Sequence, residues 1–267
     1  MSKIIDFHSH VFPQETAGEI VSKMQKRTGV PNVIYGGPKE LFQSIEEANI
    51  EISVILPVCT NPDKADTINA FAASLTSHPH IVSFGSVHPL QKNWREAIKG
   101  FRSQGIRGLK IHNDYQEYMF NSKICMDIIS AAYEEGLIVL AHTGTDPVSP
   151  NFTRCTPEML RDAMPLLRQG VFIAAHLGGL MRLEEAKRYV FGSDIYIDTS
   201  MMSVYYPLNH CKEALLSHNP DKILFGSDSP WGCPKTFADE IRGMELGTEL
   251  TEKILYRNAK NLLDNQA

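Results

Sequence analysis

The stretch Ile4-Ile5-Asp6-Phe7-His8-Ser9-His10 is a short apolar run that ends in two histidines. Its aliphatic and aromatic residues are typical of a β-strand. Successive side chains of a strand alternate between its faces, so His8 and His10 point to the same side, about 7 Å apart along the backbone. Two imidazoles on one face are suited to a divalent metal ion such as zinc. A surface strand can carry the same pair without a function, so the rest of the chain decides between the two interpretations.

Seven further apolar runs follow along the chain, and each is predicted to be a strand. Continuous runs of β-branched and aliphatic residues are expected of parallel strands that are buried on both faces. Amphipathic, helix-like stretches separate the runs. The predicted strands are 4–7, 52–57, 81–87, 108–112, 137–142, 171–176, 195–199 and 223–226. The predicted helices are 39–49, 65–77, 94–104, 122–135, 157–169, 183–189, 207–218 and 236–244.

Eight alternating β and α units predict an α/β fold, the (β/α)8 TIM barrel. An extra C-terminal helix is predicted over 251–263, with Thr251 as its N-cap. The doubly wound open sheet is the competing fold, but no G-x-G-x-x-G motif follows the first strand. The barrel is therefore the preferred prediction, as one domain spanning 1–267.

Composition limits the classes of partner. The 267 residues are 43% hydrophobic and 21% charged, which is typical of a globular protein with a sizeable core. The net charge of −5 includes no basic run, so nucleic acid is not an expected partner. No apolar run reaches 18 residues, Met1 leads directly into the first strand, and the five scattered cysteines form no C-x-x-C motif. We therefore expect a cytoplasmic protein with reduced thiols and no membrane partner; a homo-oligomer is left open.

The histidines cluster in one part of the predicted barrel. Six of the ten lie at or just after the ends of predicted strands, namely His8, His10, His88, His112, His142 and His176. The carboxyl ends of barrel strands open onto one mouth, where active sites lie. Buried histidines that serve packing alone account for one or two of the six. The other four, His78, His80, His210 and His218, lie in or near helix ends and are expected to be solvated or to cap helices.

An aspartate follows the eighth strand in Gly226-Ser227-Asp228-Ser229-Pro230. The eighth strand of a closed barrel neighbours the first, so closure is expected to bring Asp228 to the His8 and His10 pair. In isolation the same five-residue segment is typical of a turn or a helix N-cap.

These residues together resemble the amidohydrolase superfamily, in its amidohydrolase-related branch of TIM-barrel hydrolases and decarboxylases. The resemblance covers nearly the full length and is carried by His8-x-His10, His142 in Ala-His-Thr-Gly, His176 in Ala-His-Leu-Gly-Gly, and Asp228. It implies that His8, His10, His142 and Asp228 bind a divalent metal ion. One Zn²⁺ ion is expected; a second ion or another divalent metal is the alternative.

The resemblance implies catalytic roles for Asp228 and His176. One oxygen of Asp228 can bind the metal while the other takes a proton from water. His176 can polarise the substrate oxygen on which negative charge develops.

Four further residues are predicted to bind the substrate. Lys110 and His112, on the fourth strand, face the mouth. Lys110 is interpreted as an anchor for a substrate carboxylate or as a member of a structural ion pair, with carbamylation and metal bridging as the alternative. Loops predicted at 11–37, 145–156 and 229–234 would shape the pocket, with Arg154 as a cation and Trp231 as an apolar wall. Arg154 as an ordinary solvated charge is the alternative.

The predicted function is metal-dependent hydrolysis of a C–O or C–N bond, in an ester, lactone or amide of a small anionic molecule. Non-oxidative decarboxylation of an aromatic or conjugated acid is the first alternative, because it uses the same scaffold. A metal-binding barrel without catalysis is the second.

Overall fold

Eight parallel strands pair in chain order, as the sequence predicts for a (β/α)8 barrel. The computed structural model describes residues 3–265. The strands are β1 (Ile4–Ser9), β2 (Ile50–Ile55), β3 (Ile81–Gly85), β4 (Gly108–Ile111), β5 (Ile138–Ala141), β6 (Phe172–Ala174), β7 (Tyr196–Asp198) and β8 (Ile223–Leu224). The barrel closes where the Phe7 amide donates to Phe225 O at 2.8 Å. This strand order excludes the doubly wound open sheet.

Helices connect the strands and extend the chain after β8. They are α1 (Ala17–Thr28), α2 (Pro38–Ala48), α3 (Ala65–Ser74), α4 (Trp94–Gly100), α5 (Asn113–Gln116), α6 (Lys123–Glu134), α7 (Pro157–Leu167), α8 (Leu183–Tyr189), α9 (Met202–Tyr205), α10 (Leu208–Ser217), α11 (Pro234–Gly243), α12 (Thr248–Glu252) and α13 (Asn258–Asp264). Short 3₁₀ turns lie at Pro62–Lys64, Arg102–Gln104 and Pro220–Lys222. No helix between residues 3 and 265 combines the length and apolar character needed to cross a membrane.

Two predictions of local structure are corrected. The loop predicted over 11–37 contains helix α1, which buries Ala17 and Val21. The C-terminal helix begins at Thr248, after Gly247, so Thr251 lies inside the helix and is not its N-cap. A π-helical turn, Lys253–Arg257, joins α12 to α13, and buries Ile254 and Leu255.

The apolar core has two layers. One joins strand residues such as Val139 and Ile197 to residues of the surrounding helices. The other is drawn mainly from the strands, with Phe7, Phe84 and Leu140 among its members, and it includes α13. The Arg107 side chain, just before β4, donates to Leu263 O at 2.6 Å. Helix α13 therefore covers the amino-terminal end of the barrel and leaves the carboxyl end for the site.

His218 departs from its expected solvated position. It is 4% exposed, its Nε2 donates to Ile195 O at 3.1 Å, and its Nδ1 accepts from the Gly192 amide at 3.2 Å. Burial lowers the pKa of His218 to about 4, so the ring is neutral at pH 7 and serves packing.

Candidate active site

Barrel closure brings Asp228 to the end of β1. The Asp228 amide donates to His8 O at 2.7 Å, and the His10 amide donates to Ser229 O at 2.6 Å. The turn after β8 is thereby joined to β1 at the residues that carry the two imidazoles. Gly226 permits this approach, because a Cβ there would lie 2.8 Å from the His8 Cβ.

His8, His10 and Asp228 converge on one point. Asp228 Oδ1 lies 3.1 Å from His10 Nε2 and 3.4 Å from His8 Nε2. His10 Nδ1 donates to Leu56 O at 2.6 Å, and His8 Nδ1 donates to Asp198 Oδ2 at 2.8 Å. In each neutral ring the other nitrogen, Nε2, therefore presents a lone pair. Two lone pairs and a carboxylate oxygen that face one another are suited to a positive ion between them.

This donor set fits a divalent metal ion. Zinc binds imidazole nitrogen and carboxylate oxygen at about 2.0–2.2 Å, so donors that share a tetrahedral ion lie about 3.3 Å apart. The two distances to Asp228 Oδ1 are close to that value. Three donors on one side leave coordination positions for water or substrate, which distinguishes a catalytic site from a closed structural site.

The charge state of the group follows from burial and from neighbouring groups. Burial, with a contribution from Lys110, lowers the pKa of His8 to about 4, so this ring is neutral at pH 7. Burial alone would raise the pKa of Asp228, but the neighbouring His8 and His10 outweigh it and hold that pKa well below its usual range. The group therefore presents an anionic oxygen and a neutral imidazole.

Asp198, at the end of β7, forms hydrogen bonds with His8 and His176. Besides His8 Nδ1, it accepts the His176 amide at 2.9 Å and both the amide and the hydroxyl of Ser200. Ser200 Oγ lies 2.8 Å from His176 Nδ1. Burial alone would raise the pKa of Asp198, but the interaction with His8 outweighs it and lowers that pKa, which keeps the carboxylate ionised. An ionised carboxylate at this position fixes the tautomer of His8.

Replacing Asp198 with asparagine is expected to weaken binding of a divalent ion by about 10- to 100-fold. An amide NH2 that faced His8 Nδ1 would favour the tautomer protonated at Nε2, and would remove the lone pair that faces Asp228. Titration with Zn²⁺ against a competing chelator measures the affinity, and ¹⁵N NMR of the imidazoles reports the tautomer. Asp194→Asn is the control, since Asp194 is exposed and pairs with Arg168 at 3.6 Å, at the surface. Unchanged affinity and tautomer in Asp198→Asn would contradict this role.

Lys110 lies beside the group formed by His8, His10 and Asp228. Its Nζ is 3.1 Å from His8 Nε2, and the side chain is 1% exposed. Burial lowers the pKa of Lys110 to about 8, so the ammonium form still predominates at pH 7. Asp198, Asp228 and Asp146 partly offset this effect of burial. Lys110 is therefore engaged by His8 and by nearby carboxylates.

A second group, formed by His112, His142 and Asp146, lies on the same cavity. Asp146 Oδ2 is 3.4 Å from His112 Nε2 and 3.6 Å from His142 Nε2, and the two rings stack at 4.2 Å. Burial lowers the pKa of both histidines well below the usual value, so both rings are neutral. His142 Nε2 is buried without a hydrogen-bond partner among residues 3–265. This group also has the donors of a metal site.

The four ligands implied by the resemblance are thus divided between two groups. His8, His10 and Asp228 lie together, whereas His142 lies with His112 and Asp146. His176 joins the two: its Nε2 is 3.0 Å from His142 Nδ1, and its ring centroid is 5.0 Å from that of His8.

The backbone of two candidate catalytic residues lies in the left-handed region. His176 has φ 57° and Asp228 has φ 59°. This conformation is uncommon for residues other than glycine, and it persists where surrounding contacts impose it. The bonds of the Asp228 amide to His8 O and of the His176 amide to Asp198 are such contacts.

Of the four predicted substrate-binding residues, three line the cavity and one does not. Trp231 lines the cavity, with its ring 5.3 Å from that of His10, and Lys110 and His112 also line it. Arg154 does not. Its guanidinium pairs with Asp114 at 3.6 Å and lies over the Phe152 ring. His88 lines the cavity too, and its Nδ1 accepts the Leu90 amide at 3.2 Å.

The cavity measures about 1300 Å³ and opens at the carboxyl end of the barrel. This volume exceeds the roughly 300–1,000 Å³ of most small-molecule sites. Helix α1 contributes Ile20, Met24 and Arg27 to the wall of the cavity, and Tyr115 also lines it. The site therefore accommodates a molecule larger than a simple carboxylate or lactone.

Sequence reasoning missed Asp198, Asp146 and Arg27. Asp198 is the last but one residue of the predicted strand 195–199, and this position near a strand end was the available signal. Asp146 lies four residues after His142, but inside a loop whose path the sequence does not define. Arg27 lies on α1, in a segment for which the sequence predicts a loop.

The sequence matches the family model Amidohydro_2, described as amidohydrolase, over residues 5–264. The chain belongs to this family. Membership identifies a metal-dependent enzyme and agrees with the resemblance drawn from the histidine and aspartate motifs. None of the curated proteins searched matches the chain significantly.

Solved structures share the fold of this amidohydrolase at low identity. An uncharacterised TIM-barrel protein from Bordetella bronchiseptica is 18% identical, with 99% of each chain covered and a TM-score of 0.78. The 5-carboxyvanillate decarboxylase of Novosphingobium aromaticivorans, solved with bound manganese, is 14% identical, with 98% of this chain and 97% of that chain covered and a TM-score of 0.71. A Pseudomonas putida protein described as a candidate 2-pyrone-4,6-dicarboxylic acid hydrolase is 15% identical, with coverage of 98% and 97% and a TM-score of 0.68. The fold thus carries both hydrolases and decarboxylases.

Proposed function

We propose that this amidohydrolase hydrolyses a C–O or C–N bond, in an ester, lactone or amide of a small anionic molecule. The observation that carries the proposal is the convergence of His8 Nε2, His10 Nε2 and Asp228 Oδ1 on the cavity wall. A hydrolase needs a site that holds water, a base that deprotonates it, and a donor that polarises a carbonyl oxygen.

His8, His10 and Asp228 would hold one divalent ion, and we propose Zn²⁺ because nitrogen and oxygen donors of this kind suit it. Such an ion supplies Lewis acidity and makes a water molecule acidic enough to react near neutral pH. His142 is the fourth ligand that the resemblance implies. Its distance from Asp146 favours the second group instead, so we assign the ion to the three residues above.

Proton transfer is assigned to Asp228. With Oδ1 directed to the imidazoles, Oδ2 remains to accept a proton from water. The low pKa of Asp228 keeps the carboxylate ionised and ready to accept. His176 is assigned to the substrate oxygen, where its ring would stabilise developing negative charge. The contacts of its ring with Ser200 Oγ and His142 Nδ1 support a fixed ring orientation.

Decarboxylation of an aromatic acid is the second candidate. The Trp231 ring lies against His10, and Phe12 lies 6.5 Å from Trp231, so an aromatic acid could stack there. A decarboxylase, however, must hold the carboxylate in an apolar environment. Lys110, His112, Asp146 and His176 make the opposite wall polar, which favours bound water and a carbonyl oxygen. Hydrolysis is therefore the preferred assignment.

Turnover in ¹⁸O-labelled water distinguishes the two reactions. We expect one ¹⁸O atom in the product carboxylate, because hydrolysis transfers an oxygen from water to the cleaved carbonyl carbon. Mass spectrometry of products from a panel of esters, lactones, amides and aromatic acids provides the measurement. Release of CO₂, together with solvent deuterium on the product carbon in D₂O, would establish decarboxylation instead. Absence of turnover from every metal-loaded sample would favour the non-catalytic alternative.

A further inference from the structure

Helix α1 places two exposed cations, Lys23 and Arg27, on the cavity wall, and neither has an acidic partner among residues 3–265. Arg27 lies in the last turn of the helix and lines the cavity together with Ile20 and Met24. No carboxylate of residues 3–265 lies within ion-pair distance of its guanidinium, although Glu19 and Glu117 also line the cavity. A cation in this position is available to an anionic ligand.

Two other candidate anion anchors, Lys110 and Arg154, are already engaged. The Lys110 ammonium lies 3.1 Å from His8 Nε2 and is buried. Arg154 pairs with Asp114 and lies outside the residues that line the cavity. Lys23 and Lys64 line the cavity at exposed positions, where a flexible ammonium is strongly hydrated. Arg27 is the cation that an aromatic ring holds in place.

Two consecutive ring contacts connect Arg27, through Tyr115, to His112. The guanidinium carbon of Arg27 lies 5.6 Å from the Tyr115 ring centroid. Tyr115 in turn packs edge to face on His112, with 4.6 Å between centroids. The cation–π contact with Tyr115 favours one position of the Arg27 guanidinium, so less entropy is lost when two of its N–H groups bind a carboxylate.

The cavity between Arg27 and the catalytic group is largely apolar. Met24 lies on the α1 side, Phe71 on α3, and Leu180 and Met201 on the loops after β6 and β7. A molecule that spans this space would bury an aromatic or aliphatic body.

We propose that Arg27 is the anion anchor of this enzyme, and that the substrate is an elongated carboxylate. Its carboxylate pairs with the guanidinium of Arg27, its aromatic or aliphatic body lies along Tyr115 and the apolar wall, and its reactive bond lies at His8, His10 and Asp228. The position of the reactive bond rests on the proposed function. The carboxylate position does not, because it depends only on Arg27 and the cavity.

Ligand binding tests the anchor without turnover. Benzoate and biphenyl-4-carboxylate are titrated into the metal-loaded protein, each beside its neutral carboxamide, with quenching of Trp231 fluorescence as the signal. We expect the wild type to bind biphenyl-4-carboxylate about tenfold more tightly than the carboxamide. Arg27→Gln should abolish this preference and leave carboxamide binding unchanged, and Arg27→Lys should retain part of it.

Lys26→Gln is the matched control. Lys26 is exposed on the adjacent position of the same helix turn, does not line the cavity, and gives the same change in net charge. It should keep the wild-type preference. Three results would overturn the anchor: no carboxylate preference in the wild type, a preserved preference in Arg27→Gln (which would place the anion elsewhere, such as on the metal), or an equal loss in Lys26→Gln. None of these results bears on the ¹⁸O experiment, so the two proposals fail separately.

Discussion

His10→Ala is expected to lose the bound metal ion and the activity together. His10 supplies one of three donors, and its Nε2 lies 3.1 Å from Asp228 Oδ1. Groups that merely orient a ligand are worth about 10- to 100-fold in metal affinity, so loss of the ligand itself should cost at least about 100-fold. Elemental analysis after dialysis should give about one ion per wild-type chain and far less than one in the variant.

His10 is a better choice than His8 for this experiment. His8 is fully enclosed and also contacts Asp198 and Lys110, so its removal would disturb packing as well as binding. His210→Ala is the control, because His210 is exposed on α10, away from the cavity. A His10→Ala protein that kept a full equivalent of metal would contradict the assignment. Two ions per wild-type chain would indicate that the group of His112, His142 and Asp146 also binds one.

Asp228→Asn is expected to abolish turnover while the fold and part of the metal affinity remain. An asparagine amide can still offer its oxygen to an ion, but it cannot accept a proton at the position of Oδ2. General-base catalysis contributes about 10²- to 10⁴-fold, so kcat should fall by about that factor. The measurements are kcat with the best substrate of the panel, metal content, and circular dichroism.

The contrast with His10→Ala separates the two roles of Asp228. His10→Ala should lose metal and activity in proportion, whereas Asp228→Asn should lose far more activity than metal. Asp162→Asn serves as the control, because Asp162 is exposed on α7 and does not line the cavity. Activity of Asp228→Asn within a few-fold of the wild type, at equal metal content, would exclude Asp228 as the base.

The barrel could be read from the amino-acid sequence because its signals are local. Strands buried on both faces give continuous apolar runs, such as Ile138–Ala141, and these runs recur at intervals that suit intervening helices. Closure of eight parallel strands then brings the end of β8 to β1, so the proximity of Asp228 to His8 follows from topology. Helix α1 was not predicted, because it buries only Ala17 and Val21 and lies outside the regular alternation of strands and helices.

The partner of each site residue depended instead on side-chain positions that no local pattern describes. His142, just after β5, lies with His112 and Asp146. Its Nδ1 faces His176, so its Nε2 is directed toward Asp146 in the loop after β5. Arg154 pairs with Asp114, whereas the Arg27 guanidinium lies over the Tyr115 ring. Strand alternation fixes the face on which a side chain lies, since it has a period of two residues. Contacts of about 3 Å between residues far apart in the chain depend on rotamers and loop paths, which are set only when the whole barrel packs.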